Sequence, residues 1–178
     1  MIRNYVLEVK EIKLLYKLYY FQRQQLVKPT KIGILNSQPI GNQFTEISDG
    51  VTSNGCSFFA AVETRHNSDY CPNLIACTPS GYRCIEKARS RSAMDVVNIR
   101  TNHDGVCLFF KACYALRREQ LPSHKSMELL AVHVHGASVI LLFIIIYRPR
   151  SLAVNSVFFD DIVEQVAVFA APPVIVWD

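Results

Sequence analysis

Apolar residues fall in short blocks along this chain: Ser57–Val62, Val106–Phe110, Leu129–Val134, Val139–Ile146 and Val174–Trp177. Each block has the length of a strand. The longest, Val139–Tyr147, is rich in β-branched residues and reads as a strand buried on both faces. Lys31–Asn36, Ser57–Thr64, Tyr82–Lys87 and Gly105–Phe110 read as further strands. Met127–His135 and Val139–Tyr147 are joined by His135-Gly136-Ala137-Ser138, a hairpin turn by its chemistry. Two segments carry helical spacing instead. Gln43–Ser53 places Phe44, Ile47 and Val51 on one side, and Phe158–Phe169 runs until Pro172-Pro173 stops it. Asn67–Ser80 reads as turns, Arg117–Ser126 as a polar connection, and the stretch after Lys87 to about Asn102 as a basic loop. Several strands with few helices between them predict a mixed or antiparallel sheet rather than a doubly wound one.

Met1–Val27 differs in composition from the remainder of the chain. Val6, Val9, Ile12, Leu15 and Leu18 recur at three- to four-residue spacing with Lys10, Lys13 and Lys17 between them, which predicts a basic helix ending near Lys28-Pro29-Thr30. The expected division is a basic helical extension over 1–30 and one domain over 31–178. A chain of 178 residues is long enough to bury a sizeable core, and its half-apolar composition argues against bulk disorder.

Charge sharpens the division. Residues 1–31 carry seven Lys/Arg against two acids, a balance of +5 within a chain of net +4. Arg83–Arg118 adds eight basic residues against three acids, the local excess that a polyanion partner requires. No apolar block approaches a helical membrane span, and the start has no signal-peptide h-region, so no membrane partner is expected. The six cysteines contain no C-x-x-C pair and match neither a zinc module nor a disulfide scaffold; they read as reduced structural thiols of an intracellular protein.

No Gly-rich phosphate loop and no nucleophile elbow occur. A polar residue instead recurs at the C-terminal end of an apolar strand: Asn36, Glu63, Tyr147 and Asp178. Strands of one sheet bring their ends to one rim, so such residues can converge. Asn, Glu and Asp offer hard oxygen donors suited to Mg²⁺, and a Tyr hydroxyl beside Arg148 suits a phosphate oxygen. Each residue alone is better explained as the place where a strand meets water. His133 and His135 alternate on one strand and face the same side, a pattern more often structural than metal-binding.

Taken in order, Leu35-Asn36, Ala61-Val62-Glu63-Thr64, Gly105-Val106, Ile146-Tyr147-Arg148-Pro149 and Val174-Ile175-Val176-Trp177-Asp178 resemble the endonuclease/exonuclease/phosphatase superfamily. The likeness is nearest to endonuclease domains of non-LTR (LINE-type) retrotransposons. Leu74–Pro79, Gly81–Arg89 and Thr101–Phe109 share it, and it covers about residues 31–178. The resemblance implies a two-sheet α/β sandwich, incomplete at its C-terminus because the family's later motifs lie beyond Asp178. It implies Mg²⁺-dependent phosphodiester hydrolysis that nicks DNA, with Mn²⁺ as the alternative ion and the nucleus as the setting. Glu63 would be the principal metal ligand and Asn36 would orient the metal or the scissile phosphate. Tyr147 would donate to the phosphate, and Asp178 would begin the motif that positions the nucleophile or leaving group.

Departures temper the expectation. Trp177 stands where the family has Gly, Arg65 replaces an aromatic, and the Asp-His pair expected as general base is absent from the sequence. An impaired nuclease is therefore expected, and the alternative is a noncatalytic nucleic-acid-binding remnant of a transposable element. A lipid phosphodiester substrate is disfavoured by the retrotransposon-like stretches between Leu74 and Phe109.

Overall fold

A five-stranded and a four-stranded sheet frame the computed structural model, which describes residues 5–8, 30–37, 44–64, 71–88, 105–122, 127–135, 140–148, 156–169 and 173–177. The strands are β1 (Tyr5–Glu8), β2 (Lys31–Asn36), β3 (Phe58–Val62), β4 (Tyr82–Lys87), β5 (Val106–Lys111), β6 (Ala115–Arg118), β7 (Glu128–His135), β8 (Ile140–Tyr147) and β9 (Pro173–Trp177). The helices are α1 (Phe44–Ser53), α2 (Pro72–Ala76) and α3 (Ser156–Ala167). The first sheet has the order β1-β2-β3-β5-β4 and the second β6-β7-β8-β9. Each is mixed, as the sequence predicts: β2 runs parallel to β3 and β8 parallel to β9, while the remaining pairs are antiparallel.

Alternation along the strands builds three apolar layers. Between the sheets, Ile32, Phe58, Ala60, Val62, Leu108 and Phe110 meet Leu130, Val132, Val134, Phe143, Ile145 and Tyr147. On the outer face of the first sheet, Leu35, Phe59, Ala61, Cys107 and Phe109 pack under Ile47 and Val51 of α1 and Leu74 of α2. On the outer face of the second, Leu129, Ala131, Leu142, Ile144 and Ile146 pack with Phe158 of α3. The architecture is thus a two-sheet α/β sandwich with helices outside. Residues 142–147 of β8 are buried on both sides, as its unbroken apolar run predicts. Among the described residues, no helix is long and apolar enough to cross a membrane.

Close approach inside the first sheet depends on Gly33. Its register partner is Phe59, and a Cβ at Gly33 would sit 2.5 Å from the Phe59 ring. At the far edge, Arg118 Nη1 donates to the Glu86 carbonyl at 2.7 Å, clamping β6 of one sheet onto β4 of the other.

Three departures from the sequence reading have local causes. Tyr5–Glu8, expected within a basic helix, forms β1 and pairs antiparallel with β2. The pairing supplies β2 with a hydrogen-bonding neighbour at what would otherwise be its open edge, and that gain outweighs a weak helical period. The rest of the expected helix lies outside the described residues. Within Asn67–Ser80, read as turns, Pro72 opens the single-turn helix α2, where its missing N–H costs nothing. Arg117 and Arg118, read as the start of a polar connection, belong with Ala115 and Leu116 to the edge strand β6, one side of which faces solvent. The basic loop expected after Lys87 to about Asn102 and the turn expected over His135–Ser138 lie, apart from Ala88 and His135, outside the described residues.

All six cysteines are free thiols. Burial, with smaller contributions from Cys84 and other neighbours, pushes the Cys77 thiol up to about 12 from an ordinary 9.0. Burial likewise holds Cys107 well above its ordinary value. Below pH 9.0 Cys77 is protonated in both folded and unfolded chains; between there and about 12 only the unfolded chain sheds its proton. Stability therefore falls across that window. Urea midpoints stepped through it will drop more steeply for the parent protein than for Cys77→Ala, and equal slopes would refute the assignment.

Candidate active site

Parallel pairing of β2 with β3 sets Asn36 beside Val62, one residue before Glu63. Both strands end at the same rim. Ser37 seals the junction, its backbone N–H and its Oγ each donating to the Val62 carbonyl at 2.9 Å. Asn36 is half-buried and Glu63 buried, with 8% of its surface exposed.

Alternation from Phe58, Ala60 and Val62 would turn position 63 to the outer, helix-covered face, along with Phe59 and Ala61. Glu63 does not follow it. Its φ is +56°, and it is the only non-glycine residue at positive φ among those described. That conformation costs an L-residue about 1–2 kcal/mol. In this left-handed turn the Glu63 carboxylate meets the second sheet, where Tyr147 ends β8 on the inter-sheet face. The Tyr147 hydroxyl donates to Glu63 Oε1 at 2.7 Å in a buried contact spanning 84 positions of sequence.

Two of the four residues singled out by sequence are thus joined directly, and Asn36 sits at the neighbouring strand end. The fourth, Asp178, lies outside the described residues, although β9 runs parallel to β8 with Trp177 opposite Ile146 and so ends at this same rim. The resemblance directs the Tyr147 hydroxyl to a phosphate oxygen; in the structure that hydroxyl donates to Glu63. Tyr147 therefore fixes the orientation of the carboxylate.

Sequence reasoning missed two contributors at the rim. Glu128 opens β7 in register with Tyr147, and its Oε2 accepts the Gly105 N–H at 2.7 Å. Thr64, 1% exposed, donates its N–H to the Gly105 carbonyl at 3.2 Å. An isolated acid at the head of an apolar strand was the one signal for Glu128; its partner could not be read, because it lies in the other sheet.

The donor set fits a hard cation that keeps most of its water. A carboxylate and a side-chain amide at adjacent strand ends match Mg²⁺, which takes one or two carboxylates and retains several waters. Among the described residues, no group of three or more His, Cys, Asp or Glu side chains could hold a metal ion, so those residues build no all-protein cage. His133 and His135 do share a face, with ring centroids 6.4 Å apart. His133 is occupied otherwise, lying 3.6 Å from Glu119 Oε1 and edge-on to Phe169.

No protein-family model matches the chain, and no curated protein matches it. Among solved structures, it is similar to the human Nocturnin catalytic domain, determined with a bound sulfate anion. The identity is 11% over 77% of this chain and 56% of that one, with a TM-score of 0.49. The chain thus spans little more than half the length of that domain. A likeness so distant carries neither substrate nor site residues from that protein to this chain.

Proposed function

We propose that the rim around Glu63 is a Mg²⁺-dependent phosphodiesterase site of the endonuclease/exonuclease/phosphatase type, acting on DNA as in a LINE-type retrotransposon endonuclease. The observation that carries this reading is the buried Tyr147–Glu63 hydrogen bond, made by a glutamate held in a left-handed conformation. A non-glycine residue persists there only where its surroundings over-determine it, and such residues cluster at functional sites.

The roles rest on the chemistry of each group. Glu63 is the metal ligand, its carboxylate oriented by Tyr147 so that one oxygen is engaged by the hydroxyl. Asn36 presents its amide from the adjacent strand end, to the ion or to a phosphate oxygen. Arg148, next after Tyr147, adds positive charge at the same rim. Asp178, the residue next in sequence after β9, would complete the donor set. Bound Mg²⁺, or Mn²⁺ in its place, would polarise a phosphoryl oxygen and offset charge on the leaving oxygen.

The test is nicking of supercoiled plasmid by the whole chain, with Mg²⁺ or with EDTA. Relaxed circles are expected to form with Mg²⁺, at the slow rate of an impaired nuclease, and not with EDTA, and Tyr147→Phe is expected to slow their formation by a further factor of about 10 to 100. A folded protein that binds DNA in a salt-sensitive way but never nicks it would overturn the proposal in favour of the noncatalytic nucleic-acid-binding reading.

A further inference from the structure

Glu63 is reached from two directions. Its side chain is held by Tyr147, and its backbone is held through the next residue, Thr64, whose N–H donates to the Gly105 carbonyl at 3.2 Å. Gly105 stands just before β5, outside its ladder. Gly105 sits at φ +118°, a conformation essentially reserved for glycine, and its own N–H donates to Glu128 Oε2 at 2.7 Å.

Glu128 comes from the second sheet. It shares the inter-sheet face with Leu130, Val132 and Val134, and its register partner on β8 is Tyr147. The contacts therefore close on themselves. They run from Glu63 to Tyr147, across the ladder to Glu128, through Gly105 to Thr64, and back to Glu63. Every link lies where the two sheets meet, and two of the five residues belong to the second sheet.

We infer that Glu128 is a positioning residue for Glu63: its carboxylate holds the Gly105 backbone by its N–H, and the carbonyl of the same residue holds the Thr64 amide and with it the left-handed turn that aims Glu63 at Tyr147. A carboxylate suits the task because it accepts a backbone N–H more strongly than a neutral oxygen does. A side chain at the head of β7 also ties the turn to the strand pair that carries Tyr147, so the two halves of the site keep a common reference. The consequence for catalysis rests on the phosphodiesterase reading; the geometric claim does not.

The experiment compares the full-length parent with Glu128→Ala and Glu128→Gln by amide hydrogen exchange, by the Glu63 backbone chemical shifts, and by plasmid nicking in Mg²⁺. In Glu128→Ala, exchange of the Thr64 amide accelerates at least about tenfold, the Glu63 shifts leave left-handed values, amides inside β3 keep their protection, and nicking falls about 10- to 100-fold. Glu128→Gln, which still offers an oxygen to Gly105, recovers most of each loss. Unchanged Thr64 exchange and Glu63 shifts in Glu128→Ala would overturn the inference, as would a glutamine variant no better than alanine. If Glu128→Ala does not fold, Glu128→Gln decides: retained Thr64 protection supports the inference, and its loss in a folded protein overturns it. A parent protein that never nicks plasmid sinks the phosphodiesterase reading and leaves the exchange result to judge Glu128.

Discussion

Glu63→Gln lowers Mg²⁺-dependent nicking on the order of a thousandfold while the protein still unfolds cooperatively. That loss corresponds to about 4 kcal/mol of transition-state stabilisation. Glutamine keeps the shape of the side chain and an oxygen that can accept the Tyr147 hydroxyl, so the contact seen at 2.7 Å survives. What it removes is the charge. A hard divalent cation binds carboxylate oxygens far better than neutral amide oxygens, and the neighbouring donor, Asn36, is itself neutral. The variant therefore separates a metal-ligating role from a structural one. Were Glu63 only a rim residue satisfying Tyr147, glutamine would serve as well and nicking would be unchanged. Were the carboxylate needed chiefly to hold the sheets together, the melting transition would collapse along with activity. The left-handed backbone strengthens the case, because glycine would fill position 63 without conformational cost.

Apolar runs made most of the sheet legible. β2 and β4 begin and end where the sequence reading placed them, since each is an apolar or alternating run bounded by turn residues. The antiparallel pairing of β7 with β8 was readable from a short Gly-containing link between two long apolar runs. What could not be read depended on partners distant in sequence. Tyr5–Glu8 has too few residues to reveal a period of its own, and it became a strand because β2 offered an edge. Arg117-Arg118 looks like the start of a solvated connection because two charges stand side by side, yet they continue a strand whose Leu116 reaches the inter-sheet core. The same limit applies at the rim. Asn36, Glu63 and Tyr147 stood out as polar residues ending apolar strands, but alternation alone would have turned Glu63 away from Tyr147. Only the left-handed turn brings them together, and no local signal in Ala61-Val62-Glu63-Thr64 announces it. Glu128 and Gly105, 23 residues apart, are linked solely because two sheets stack.

Phe58→Ala is expected to destabilise the protein by about 3–5 kcal/mol, read as a lower urea midpoint with an unchanged slope. Phe58 is 1% exposed at the start of β3, and its ring lies 4.7 Å from Phe143 of the facing sheet and 4.8 Å from Tyr114. It therefore fills the space between the sheets where three rings meet, and truncation leaves a cavity that rigid strands on both sides cannot close. In a chain of this size the loss lowers the melting temperature by about 10 °C. Phe58 stands at the opposite end of β3 from Glu63, whose position is set by Tyr147 and by the Thr64–Gly105 bond. Well below the new melting temperature, nicking per folded molecule should therefore match the parent. A variant that melts normally would show that the two sheets do not share the inter-sheet core. One that stays folded but loses nicking would show instead that the rim draws its geometry from the whole sandwich rather than from the local ring of hydrogen bonds.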